Sequence, residues 1–138
     1  MNRRAAIGLG CASLALLAAG CRDGGGNERA FCNQVVNVPV ITDRDQLAVP
    51  DPATATGNLV TALRRLRTTA PNDIRRDVTT MVTVAEAVQR ALTTPGTPDA
   101  EDARTQIERQ SPAWSDASAR VVSYARRTCG IDLSSSPG

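Results

Sequence analysis

Among side chains able to do covalent or proton-transfer chemistry, this 138-residue sequence carries four cysteines (Cys11, Cys21, Cys32 and Cys129) and fourteen carboxylates. It has no histidine, and all sixteen basic residues are arginine, so lysine is absent too. A Ser-His-Asp triad, a Cys-His pair, a Schiff-base lysine and a phosphate-loop lysine are therefore closed. Paired carboxylates could still serve glycoside hydrolysis. The candidates are Asp73 with Asp77, or Glu101 with Asp102 and Glu108. All five sit at expected helix starts or on polar helix faces, where a carboxylate complements the helix dipole or meets solvent. No catalytic residue is assigned. Asp43-Arg44-Asp45 begins like a calcium loop, but its sixth position is Ala48 and no Glu stands at the twelfth, so it fails as an EF-hand. No metal site and no cofactor are expected.

The elements that must position these groups read as helices throughout. Glu28 to Asn37 forms a short one, with Phe31 and Val35 on one stripe, Cys32 and Val36 on the next, and Pro39 as its stop. Val40 to Pro50 has no period and reads as loop. Asp51-Pro52 pairs an N-cap residue with proline at the first helical position. Leu59, Leu63 and Leu66 follow at helical spacing up to Pro71. A third helix runs from Pro71 or Asn72 to about Leu92, its stripe made of Ile74, Val78, Met81, Ala85, Val88 and Leu92. Pro95-Gly96 marks a turn. Thr97-Pro98 opens a fourth helix with Ala100, Ala103 and Ile107 inward. Ser111-Pro112 reads as a restart, followed by Trp114, Ala117, Val121, Tyr124 and Thr128, with Gly130 as C′ residue. Trp114 and Tyr124 are assigned to the core. The expected fold is an all-α bundle of four to five helices.

The N-terminus supplies an address. Met1-Asn2-Arg3-Arg4 is a positive n-region, Ala5 to Leu17 an uncharged apolar stretch too short to span a bilayer, and Ala18-Ala19-Gly20 a small-residue approach to Cys21. This pattern resembles the lipobox of bacterial lipoproteins, with Ala18 at the place where the strictest motif has Leu. The resemblance covers the first 21 residues. Together with arginine in place of lysine and abundant Ala, Thr and Val, the chain is similar to small lipoproteins of the actinobacterial kind. It implies that Cys21 is acylated and becomes the first residue of the mature chain, held at the cell membrane on the extracytoplasmic side. An ordinary secretory signal cleaved after Ala19 or Gly20 is the alternative, leaving Cys21 a free thiol. On the lipoprotein reading, residues 1–20 are signal peptide, 21–27 a lipidated flexible tether, 28–130 the helical domain and 131–138 a flexible tail. Cys11 then leaves with the signal and Cys21 takes the lipid. Cys32 and Cys129 remain, and in an oxidising compartment an isolated pair is most simply a disulfide joining the first helix to the last. Two buried free thiols are the alternative.

Without Arg3 and Arg4 the mature chain has fourteen basic and fourteen acidic residues, which argues against general nucleic-acid binding. Its one charge cluster is Arg64, Arg65, Arg67, Arg75 and Arg76, around the turn between the second and third helices. From Pro52 to Asn72 there is no carboxylate. This cluster is a candidate contact for lipid head groups or an anionic envelope polymer. Cations near a helix C-terminus, neutralised by Asp73 and Asp77, give the structural alternative. The expected function is a non-catalytic binding or interaction module anchored at the envelope, with an envelope protein or polymer as partner. A carrier holding a small apolar or lipid ligand between its helices is the alternative.

Overall fold

The computed structural model describes residues 28–38 and 51–133. The expected signal peptide, the expected lipidation site Cys21, the tether, the loop from Val40 to Pro50 and the chain beyond Leu133 lie outside the described residues. Four helices make up the fold: α1 (Glu28–Val35), α2 (Pro52–Thr69), α3 (Asn72–Thr93) and α4 (Pro98–Cys129). No strand occurs among the described residues. α3 packs against both α2 and α4, whose backbones stay apart from each other, and α1 bridges α2 and α4.

Local chemistry explains each boundary. Asp51 is extended, and its carboxylate accepts the Ala53 and Thr54 amides and the Thr54 hydroxyl. These bonds, the Thr54 hydroxyl's first, hold the Asp51 pKa below its ordinary value. Pro52 then begins α2, where its missing N–H costs nothing. The helix stops because Ala70 precedes Pro71 and is held extended, at ψ 128°. Ala70 and Pro71 are both buried. The Ala70 carbonyl accepts from Arg75 Nε and Nη2 at 3.1 and 2.9 Å. That fork closes the end of α2 and fixes the tight turn into α3. Gly96, at φ 77°, turns the chain after α3, and the Thr97 hydroxyl caps α4 through the Ala100 amide at 3.2 Å. Gly130 ends α4 in the left-handed region, which a residue without Cβ adopts at little cost.

The bundle has four helices, not five. Pro112 lies inside a continuous α4 instead of restarting a new helix. Its missing N–H leaves the Glu108 carbonyl without an intrahelical donor. Glu108 and Pro112 are both exposed, so water can serve that carbonyl. Ala103 before the proline and Ala117 after it are buried and keep both halves of α4 in line.

The main core gathers where α2 ends, α3 begins and α4 ends. Phe31, Val35, Leu63, Leu66, Val78, Met81 and Val121 are fully buried there. α1 buries Phe31 and Val35, and Val38 in the turn that follows is buried too, while Val36 is exposed. Phe31 meets Tyr124 edge to face, with ring centroids 5.5 Å apart, a favoured aromatic geometry. Cys32 and Cys129 form a disulfide across 97 residues, with Cα atoms 5.5 Å apart. Ile131 and Leu133 pack against this core, so the packed part of the chain continues past Gly130.

Candidate functional site

α2 and α4 flank α3 with their backbones well apart, and a trough runs along α3 between them. α1 fills it at the end where the core is thickest. Toward the other end the trough is open and forms a pocket of about 260 Å³. α2 contributes Thr56 and Leu59, α3 contributes Val84, Ala85 and Val88, and α4 contributes Ile107, Ser111 and Trp114. The lining is overwhelmingly aliphatic and aromatic carbon. The Thr56 hydroxyl is already committed to the Pro52 carbonyl at 2.8 Å. No lining residue is titratable. Such a surface offers apolar burial and no proton transfer.

The pocket exists because packing thins toward this end. Beyond the main core, the buried residues of α3 and α4 are small: Val84, Ala87, Ala100 and Ala103. Alanine side chains let two backbones approach closely but fill little space beside the contact. Sequence periodicity placed Val88 and Leu92 on the inward stripe of α3. Val88 is instead a partly exposed wall of the pocket, and Leu92 is exposed. Trp114 was expected inside; it is half-buried, one side against the core and the other lining the pocket. Tyr124 is buried as expected. Burial is the largest influence raising its phenol pKa above the ordinary value, and the hydroxyl donates to Glu28 Oε1 at 3.4 Å.

The five sequence-singled arginines do not act as one group. Arg64 is engaged with Glu86 of α3 at 2.8 Å, and Arg75 is committed to the Ala70 carbonyl. Arg65, Arg67 and Arg76 are exposed and have no ion-pair partner among the described residues. The candidate carboxylates are dispersed. Asp77 binds Arg120 at 2.9 Å, Glu101 pairs with Arg104 on its own helix, and Asp73, Asp102 and Glu108 are exposed. No group of three possible metal ligands occurs among the described residues. No described helix is long and apolar enough to cross a membrane.

What the sequence did not single out is the pocket. Leu59, Val88, Ile107 and Trp114 each belong to a helical stripe, and a stripe edge looks the same in sequence whether a neighbour covers it or not. Comparison with known proteins gives no match to a family model, a curated protein or a solved structure.

Proposed function

We propose that the protein is an exported, lipid-anchored binding module of the cell envelope, without catalytic activity, that receives an apolar group of an envelope partner in the α2–α3–α4 trough. The observation that carries this reading is the trough itself: open, apolar and lined by no titratable side chain. The Cys32–Cys129 disulfide supports an oxidising compartment. The signal-like N-terminus with Cys21 supports the anchor. At about 260 Å³ the pocket lies just below the range of roughly 300–1,000 Å³ found for small-molecule sites. That size favours one or two apolar side chains of a partner over a whole lipid, so the carrier reading stands second.

The test places a photo-reactive residue at Ile107, inside the trough, or at Thr79, exposed on α3, in the full chain expressed in its own envelope. Irradiation is expected to give one defined adduct from position 107 and none from position 79. Val88→Trp, which fills the trough, is expected to abolish that adduct. Equal adducts from both positions, or an adduct that survives Val88→Trp, would remove the trough from the function. A co-purifying lipid seen by native mass spectrometry, displaced by Val88→Trp, would shift the reading to the carrier.

A further inference from the structure

Charge is divided unevenly along the bundle. The half built from α1, residues 62–82 and residues 115–133 carries nine arginines (29, 64, 65, 67, 75, 76, 120, 126, 127) against five carboxylates (28, 73, 77, 116, 132). The half built from residues 51–61 and 83–114 carries three arginines (90, 104, 109) against six carboxylates (51, 86, 99, 101, 102, 108). Formal charges of about +4 and −3 therefore stand at opposite ends of a molecule whose longest helix, 32 residues, measures about 48 Å.

The position of α1 tells which end lies near the N-terminal segment. The Arg120–Asp77 pair fixes the register of α3 against α4. One turn further toward the start of α3 stands Tyr124, whose hydroxyl reaches Glu28. The described chain thus begins at the arginine-rich end. Cys21 is seven peptide steps before Glu28, a reach of at most about 25 Å, roughly half the length of α4.

We propose that the arginine-rich end of the bundle rests on an anionic lipid surface, with Arg65, Arg67 and Arg76 as its exposed contacts, so that the trough opens at the end away from the membrane. This orientation rests on the anchor at Cys21 proposed above. A tether shorter than the bundle keeps the basic end, and not the acidic one, free to settle onto the head groups, whose potential acts over roughly 10 Å at moderate salt and draws the arginines the remaining distance. The acidic end is repelled by the same surface. An anionic envelope polymer would meet the same charges, but the short reach to Cys21 favours the lipid.

The experiment uses the mature chain, from residue 21 onward, carrying Cys21→Ala, so that binding is read without the signal segment and without the lipid. Sedimentation with vesicles of equimolar phosphatidylglycerol and phosphatidylcholine, at low salt and millimolar lipid, is compared with vesicles of phosphatidylcholine alone. The chain is expected to pellet with the anionic vesicles only and to be released by salt. Combined Arg65→Gln, Arg67→Gln and Arg76→Gln is expected to weaken the binding roughly a hundredfold, at roughly fivefold per arginine. The corresponding triple change to lysine is expected to retain it, which separates charge from loss of fold. Arg104→Gln with Arg109→Gln, at the far end, is expected to leave it unchanged. Equal pelleting with both vesicle types, indifference to the triple glutamine change, or equal loss from the far-end pair would overturn the orientation. Failure of the anchor reading shows elsewhere: intact mass of the native exported chain would then lack the added acyl mass at Cys21.

Discussion

Phe31 has no exposed surface although it sits on the shortest helix. It is one of only three aromatic residues, with Trp114 and Tyr124, so the core around it is otherwise aliphatic. Its ring packs on Tyr124 and joins α1 to the cluster containing Leu63, Leu66 and Val121. Small neighbours leave little capacity to collapse into the space of a lost ring, so Phe31→Ala is expected to cost about 3–5 kcal/mol. Urea unfolding followed by circular dichroism checks this through the shift in midpoint. A loss below about 1 kcal/mol would mean that α1 is not integral to the core. The burial of Phe31 and Tyr124 was legible in the sequence, because each lies at helical spacing from other apolar residues. The half-burial of Trp114 was not. Its stripe is as regular as that of Tyr124, but α2 stands across an open pocket from it, where α1 covers Tyr124.

At the scale of the element, α2 to α4 follow from their local signals. Asp51-Pro52, Ala70-Pro71, Pro95-Gly96 and Gly130 each set a boundary through a backbone constraint that depends on a few neighbouring residues. Those boundaries were therefore readable. Ser111-Pro112 carries the same punctuation but does not break the helix. A proline forbids one hydrogen bond and crowds one carbonyl; whether the helix then stops depends on what holds the flanking turns, here the burial of Ala103 and Ala117 in a helix packed along α3. A proline in a helix interior is unfavourable by about 3 kcal/mol relative to alanine. The freer unfolded chain of the variant returns up to about 1 kcal/mol. Pro112→Ala is therefore expected to stabilise the protein by about 2 kcal/mol, measured by thermal or urea unfolding. If Pro112 were instead the first residue of a separate helix, the same change would be neutral or destabilising, so the sign distinguishes four helices from five.

For the whole molecule, the disulfide matters more than any one contact. Its 97-residue separation places nearly all of the described chain inside one covalent loop. On the chain-entropy account, closing a loop of this length stabilises the fold by about 4–5 kcal/mol, as an upper figure. Reduction, or Cys32→Ser with Cys129→Ser, is expected to lower the melting temperature by roughly 10 °C or more. Intact mass of the native protein should lie two hydrogens below the all-thiol value, and two alkylatable thiols at these positions would exclude the clamp in solution. The same bond has a mechanical consequence. A pull between the N-terminal segment and the C-terminal tail enters at Cys32 and leaves at Cys129. It passes through a single sulfur–sulfur link and bypasses α2, α3 and most of α4. Tension along the chain therefore cannot peel these helices apart, and a trough built on them keeps its shape under load.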